Sequence, residues 1–346
     1  MKLKRRSIRQ TTTNTLLIDG ESLLKQGFYG TKDIKTHLGS VGTIYHFVNT
    51  IRRFYNNLGI TKAIIFWEGE NSKEYRRIYY PYYKLNRTEK VDIDAEHDLH
   101  RQRIRIKQYL EELFIRQVEI DECEGDDAIA YYVKNAPHED KIIYTNDHDL
   151  LQLIDPTTKL FLWGKQALID IYNFNNYFKY NYKNVGLVKM ICGDVADNIS
   201  GLESFGETTV LKLFPELKTE VKDYKWLLKR VDELLLENPK SNKLKILKEG
   251  KTKHKSYGID YFSIMNVIIN LETPHVTENM KKIIQEVIYE PLDPTDRGGI
   301  PTILKYMEED GILYKLPKDD ELFSLYWLPF LNIMSKEKKF FKDKTY

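Results

Sequence analysis

The sequence predicts an α/β fold with a mostly parallel central sheet. Three observations carry this. TLLID (15–19), KAIIFWE (62–68) and KIIYTND (141–147) are short runs with apolar centres, of the kind that become buried parallel strands. Each closes on an acid, Asp19, Glu68 or Asp147. Between the first two, Val41, Ile44, Tyr45, Val48, Ile51, Phe54, Tyr55 and Leu58 recur at helical spacing, which gives a βαβ unit with a right-handed crossover.

The densest chemistry lies in residues 121–154. Glu124, Asp126 and Asp127 open an apolar helical run, and Asp147 and Asp149 follow the third strand. Taken singly, Asp126 and Asp149 read equally well as helix caps, and Asp19 as a turn residue. Together they lie where an open α/β sheet binds its ligand, beyond the carboxyl ends of the strands. Crowded carboxylates repel and raise one another's pKa, a cost that a divalent cation reverses. The expected ligand is Mg²⁺.

The stretch 70–112 is rich in Arg, Lys and Tyr, either a solvated pair of charged helices or a surface on which nucleic-acid bases stack and phosphates are neutralised. KLFLWG (159–164) reads as a strand and ALIDIYNFNNYF (167–178) as a helix. Asp194 and Asp197, three apart, would share one side of a helical turn or belong to a turn around Gly193 and Asn198. Gly201 and Gly206 bracket a step between helical runs, where glycine lets backbone N–H groups approach a phosphate. Gly206 in particular is expected to need a backbone angle closed to β-branched residues.

With 346 residues and 42% hydrophobic content, the chain can fill one large domain or two modest ones. No apolar run approaches the ~20 residues a membrane span requires. Lys and Arg total 53 against 51 Asp and Glu, yet the net charge of +2 hides a segregation of acids from bases that suits a polyanionic partner. The two cysteines, Cys123 and Cys192, read as reduced, partly buried thiols without chemistry. Residues 1–14 carry five bases and no acid, a disordered basic arm rather than a leader.

In this order the motifs resemble the flap endonuclease and 5′-3′ exonuclease superfamily, and within it the RNase H type of T-even phages. The matching residues are Asp19 after the first strand, the E-x-D-D group (Glu124, Asp126, Asp127), the D-x-D pair (Asp147, Asp149) and G-D-x-x-D-N with Asp194 and Asp197. An arch motif matches Arg77, then Tyr83, Lys84, Asn86 and Arg87, with Arg76 beside it. GLESFG (201–206) is similar to a helix–two-turn–helix loop that holds duplex DNA, and DRGGI (296–300) to a late segment of the phage enzymes. Three positions depart from the pattern: Glu68 in place of Asp, Ser204 in place of the middle glycine, and Thr208 in place of a lysine.

The resemblance implies a PIN-like 5′-nuclease core over 15–183 with an arch near 70–112. A helical DNA-binding region over 184–310 and a tail over 311–346 would follow. It also implies a structure-specific 5′ nuclease that trims 5′ ends, flaps and nicks and removes RNA primers. Two Mg²⁺ ions about 4 Å apart would serve it, with Mn²⁺ as a substitute. Asp19, Glu68, Glu124 and Asp126 or Asp127 would hold the first ion, and Asp147, Asp149, Asp194 and Asp197 the second. Lys84 and Arg87 would clamp the scissile phosphate and Tyr83 would stack on the terminal base. Arg76, Arg77, Asn86, Gly201, Ser204, Gly206 and Thr208 would contact nucleic acid. The setting implied is a monomer in cytoplasmic, phage- or bacterial-type replication. The lysine-rich segment 238–256 reads as a solvated connector or a phosphate patch. The aromatic ending from Glu321 either folds back on the body or docks a partner such as a single-strand-binding protein or a sliding clamp. Two other functions compete: a catalytically silent nucleic-acid clamp, which would lack some of the acids, and a PIN-type ribonuclease, which would lack the arch and the two-turn loop.

Overall fold

The computed structural model describes residues 14–31, 33–36, 39–87 and 93–345; the side chains of Arg87, Ile93 and Thr345, and all but the last residue of the basic arm, lie outside the described residues. Among the described residues the strands are β1 (Asn14–Asp19), β2 (Lys35–Thr36), β3 (Gly39–Ser40), β4 (Lys62–Phe66), β5 (Arg116–Val118), β6 (Asp140–Thr145), β7 (Thr158–Leu162) and β8 (Ala167–Ile169). The main sheet runs β5-β4-β1-β6-β7-β8, parallel throughout except for the antiparallel β7–β8 edge. β2 and β3 form a separate short hairpin.

Burial on both faces explains the apolar runs. Leu16 and Ile18 of β1 pack into one hydrophobic cluster with Ala63 and Ile65 of β4, while Leu17, Ile64 and Ile143 pack into the cluster on the other face. The first face is covered by α1 (Gly20–Gly30), α2 (Gly42–Leu58) and α4 (Ile93–Glu112). The second carries α5 (Gly125–Asn135) and α6 (Val185–Cys192), then α7 (Glu207–Leu213), α8 (Tyr224–Glu237), α9 (Asn242–Lys248), α10 (Tyr261–Ile269) and α11 (Glu278–Tyr289). The short α3 (Glu74–Tyr79) sits between β4 and the residues that precede α4.

Two expectations change, and an open one closes. ALIDIYNFNNYF is not a helix: Ala167–Ile169 pairs with β7, and only a single 3₁₀ turn, Phe174–Asn176, follows. Its Ile and Phe spacing serves one edge strand and a cluster of rings. The ending from Glu321 takes the first of its two readings and folds back on the body, where α12 (Ile300–Glu309) and α13 (Asp320–Thr345) return to the first face. There Tyr326, Trp327 and Phe330 are buried with Ile44 and Ile51 of α2. The lysine-rich segment is likewise structured, as α9 and a tight turn behind it.

The two-turn loop corrects the second. Gly201 does take the left-handed conformation, φ +64°, and lies back to back with Gly193, φ +82°, so closely that a Cβ on either would strike the other's backbone. Gly206, however, is extended at φ −146° with open space around it. The left-handed residue of the turn is instead Ser204, φ +60°. An L side chain there costs roughly 1 kcal/mol. Ser204→Gly should therefore raise the urea-unfolding free energy by up to about 1 kcal/mol, less the entropy glycine adds to the unfolded chain. Gly206→Val should leave it within about 0.5 kcal/mol of wild type. The reverse ranking would show that the loop folds otherwise.

Candidate metal and nucleic-acid site

Because β4, β1 and β6 are adjacent and parallel, their carboxyl ends open on one side. A cavity of about 420 Å³ lies there, lined by Asp19, Glu68, Asp126, Asp147 and Asp194 together with Glu21 and Lys84. Asp19 ends β1 and caps α1, accepting from the Ser22 backbone N–H at 2.9 Å and from the Thr145 hydroxyl at 2.8 Å. Asp19 thus closes a turn and lines the cavity at once. Asp126 enters on the first turn of α5. Asp147 accepts from the backbone N–H of Asp149 at 2.8 Å, a turn that aims both side chains past the end of β6.

Asp149, Asp194 and Asp197 form a second group, with one carboxylate oxygen of each lying within 4.8 Å of the others. Asp194 and Asp197 are brought there by a turn rather than by a helix. Residues 194 and 199 exchange backbone hydrogen bonds of 2.8 and 2.7 Å. The Lys189 ammonium bonds both Asp149 and Asp194. It stands where a cation is wanted. Lys189 was not anticipated from the sequence, though it is the lone charge in the apolar helix VGLVKMIC.

The arch residues divide sharply. Lys84 is buried and bonds Glu124 at 3.0 Å, while Tyr83, also buried, donates its hydroxyl to the same carboxylate oxygen at 3.0 Å. Tyr83 is thus closed off from base stacking, and the exposed ring beside it is Tyr82. Arg76 is no surface contact. It is 3% exposed and makes a bidentate pair with Asp127 at 2.7 and 3.0 Å, its Nε donating to the Ile268 carbonyl. Asp127 also accepts from the His275 N–H at 3.0 Å. That carboxylate faces away from the cavity and is already occupied, so the structure removes Asp127 from the ligand set and Arg76 from the nucleic-acid contacts. The E-x-D-D pattern could not separate neighbours that point to opposite sides of a helix start.

Arg77 binds the Tyr83 carbonyl and Glu74, and Asn86 donates to the Val195 carbonyl at 2.9 Å. Both brace the base of the arch. Glu68 reaches the cavity and pairs with Lys73 at 3.4 Å. Ser204, Gly206 and Thr208 are exposed on the two-turn loop and the start of α7, whereas Gly201 is buried.

Electrostatics follow the crowding. Burial, opposed in part by hydrogen bonds from Ser22 and Thr145, pushes Asp19 up to about 6, with Asp147 and Glu21 adding to the rise. Burial and then Asp147 and Asp19 hold Asp126 well above the carboxylate range. Burial would lower Lys84, but Glu124, Tyr83, Asp197 and Glu68 together outweigh it and keep the ammonium charged. Burial also raises Asp194, yet Lys189 pulls it below its usual value. In addition, Glu124 Oε1 is buried with no hydrogen-bond partner among the described residues. An all-oxygen donor set, elevated carboxyl pKa values, an orphaned carboxylate oxygen and a lysine standing between carboxylates together fit a divalent metal ion.

Residues 14–181 match the family model of the 5′-3′ exonuclease N-terminal, resolvase-like domain. A 5′-3′ exonuclease of Halalkalibacterium halodurans is 30% identical over 220 residues, covering 59% of this chain and 70% of that protein. The chain belongs to the 5′-3′ exonuclease family. A second member, from Mycoplasmopsis pulmonis, is 29% identical over 86% of this chain and 96% of its own length. In fold, this exonuclease is similar to the D15 protein of phage T5, co-crystallised with metal ions (TM-score 0.63, 18% identity, 79% of this chain and 98% of that one). A D15 flap endonuclease variant in complex with DNA and metal ions also matches (TM-score 0.59, 19% identity, 87% and 99%). No helix among the described residues is long and apolar enough to cross a membrane.

Two tests follow from the geometry. Asp127→Asn should lose about 3–5 kcal/mol in urea unfolding, since it strands a buried guanidinium, while Mn²⁺ affinity of the folded protein stays as in wild type. Loss of metal binding with stability intact would return Asp127 to the ligand set. For Asp19, the raised pKa means that the folded state holds its proton more tightly than the unfolded state does. Its destabilising effect is therefore absent near pH 4 and complete above about pH 6. His46, His148 and His275 are shifted down, chiefly by burial, and act in the opposite sense, so the readout is a difference between proteins. In EDTA, Asp19→Asn should be more stable than wild type at pH 7.5, by on the order of 2 kcal/mol, and the gain should shrink towards pH 4.5. A gain that does not vary with pH would contradict this.

Proposed function

We propose that this exonuclease is a divalent-metal-dependent, structure-specific 5′ nuclease. It would hydrolyse phosphodiesters at 5′ ends, flaps and nicks in DNA and in RNA–DNA hybrids, with two Mg²⁺ ions that Mn²⁺ can replace. The observation that carries the reading is the convergence of carboxylates from the ends of three parallel strands, the first turn of α5 and the 194–199 turn on one cavity that also holds a buried, charged Lys84.

Asp19, Asp126 and Asp147, with Glu68 and Glu124 at their margin, would hold one ion, and Asp149, Asp194 and Asp197 the other. Bound there, divalent ions acidify an attacking water and neutralise the leaving oxygen. Lys84 faces the same cavity and adds a fixed positive charge where phosphate charge builds, while Arg87, next along the arch, would grip the flanking backbone. Tyr82, not Tyr83, would take the stacking role, because Tyr82 is 52% exposed and Tyr83 is buried. Gly201, Ser204, Gly206 and Thr208 would approach duplex phosphates through the two-turn loop. The reading implies a monomer in a cytoplasmic, phage- or bacterial-type replication setting. The exposed leucines of α13, Leu322, Leu325, Leu328 and Leu331, would be the docking face for a single-strand-binding protein or sliding clamp. Retention of the family acids disfavours a silent clamp, and the helices around the two-turn loop disfavour a short PIN-type ribonuclease.

End-labelled flap, nicked and hybrid substrates digested side by side with Mg²⁺ test this. Asp147→Asn should cut cleavage by at least a hundredfold and leave the protein folded. Lys84→Ala should slow single-turnover cleavage at saturating enzyme by about 10²–10³ with less than tenfold change in affinity. Unaltered single-turnover rates with weaker binding would reduce Lys84 to an ordinary phosphate contact.

A further inference from the structure

The segment 238–256 carries seven lysines against one glutamate, and the structure fastens it beside the two-turn loop. Leu202 bridges Thr252, and the Glu203 N–H donates to the Lys251 carbonyl at 2.9 Å. The turn itself is closed by the Lys251–Ser256 bridge and by Thr252, whose hydroxyl accepts from the N–H groups of His254 and Lys255 at 3.2 Å. Gly250, φ +53°, packs where a Cβ would meet the Gly258 carbonyl at 2.5 Å. Lys243 of α9 donates to the Ser204 carbonyl and lies over the Phe205 ring. This is a rigid lysine-bearing hairpin, with Lys253 and Lys255 exposed at its tip.

Its other flank leads towards the arch. The Lys255 ammonium sits 4.2 Å above the Tyr257 ring, Tyr257 lies 6.3 Å from Tyr80, and Tyr80 lies 5.7 Å from the exposed Tyr82. Tyr82 and Tyr83 immediately precede Lys84 in the chain. The hairpin therefore occupies the ground between the two-turn loop and the cavity. Fixed cations on an ordered backbone, spaced along one path and flanked by aromatic rings, suit a run of phosphates.

We propose that Lys253 and Lys255 are duplex-binding residues that carry the phosphate backbone from the cavity to the two-turn loop, and that they supply the charge Thr208 lacks. This rests on the nuclease reading above. The loop alone would grip one point of a duplex; loop and hairpin together grip a stretch of it and fix its direction relative to the cut.

The test measures binding by fluorescence anisotropy, in EDTA to prevent cleavage, across a salt series. The ligands are a flap substrate with a long downstream duplex and a single strand of the same sequence. Lys253→Gln/Lys255→Gln should lower the salt slope on the duplex by about 1.8, at roughly 0.9 for each phosphate no longer neutralised. Affinity near 0.1 M salt should fall about tenfold, and single-strand binding should be unchanged. Lys240→Gln/Lys248→Gln removes equal charge from the α8–α9 side, where Lys248 pairs with Asp232, and should leave the slope within error of wild type. Equal effects from the two pairs, equal effects on duplex and single strand, or no effect from the hairpin pair would each overturn the proposal. Wild-type protein that shows no preference for the duplex substrate would instead strike at the nuclease reading itself.

Discussion

The structure depends on holding carboxylates together that would otherwise fly apart. A parallel sheet leaves no choice about where its strands end, and in this chain three neighbouring strands lead directly to acids. The repulsion shows in the raised Asp19 and Asp126. It is contained by cations inserted from elsewhere in the chain: Lys84 from the arch against Glu124, Lys189 from α6 between Asp149 and Asp194, and Arg103 from α4 against Glu21. Each balances one side of the cavity and leaves Asp19, Asp126 and Asp147 facing one another. Stability is given up at the place where a divalent ion restores it.

Backbone and asparagine hydrogen bonds tie the carboxylates to the arch and the two-turn loop. The Lys84 N–H donates to the Asp197 carbonyl at 3.0 Å, the Asn198 side chain donates to the Tyr82 carbonyl at 2.8 Å, and Asn86 reaches Val195. The base of the arch and the turn bearing Asp194 and Asp197 are therefore one hydrogen-bonded unit. Gly193 and Gly201 then bring the two-turn loop against the same turn through a backbone contact that no side chain would permit. The arch and the two-turn loop are thus each only a few bonds from the carboxylates.

Much of this was legible in the sequence, because strands ending in acids leave a local signature. β1, β4 and β6 were readable from runs of three or four apolar residues apiece, and Asp19, Asp126, Asp147 and Asp194 line the cavity. What failed depended on direction or on distant partners. Asp126 and Asp127 are adjacent in sequence yet diverge, and only Arg76, 51 residues earlier, decides which of them is taken. Tyr83 and Tyr82 trade places for the same reason. ALIDIYNFNNYF satisfies helical spacing but completes a sheet edge, since pairing with β7 outweighs local propensity. Lys189 reads as an ordinary charge, and segment 238–256 as either connector or phosphate patch, until the turns that bring them beside the carboxylates and the two-turn loop are known.

In the proposed nuclease, cations would sit at two places: among Asp19, Asp126 and Asp147, and where Lys189 now stands among Asp149, Asp194 and Asp197. Anomalous diffraction from crystals grown with Mn²⁺ tests this directly. Peaks are expected at both places, with Lys189 displaced from Asp149 and Asp194, and none at Asp127. A metal bound by Asp127, or crystals saturated in Mn²⁺ that show no peak among Asp19, Asp126 and Asp147, would contradict this placement.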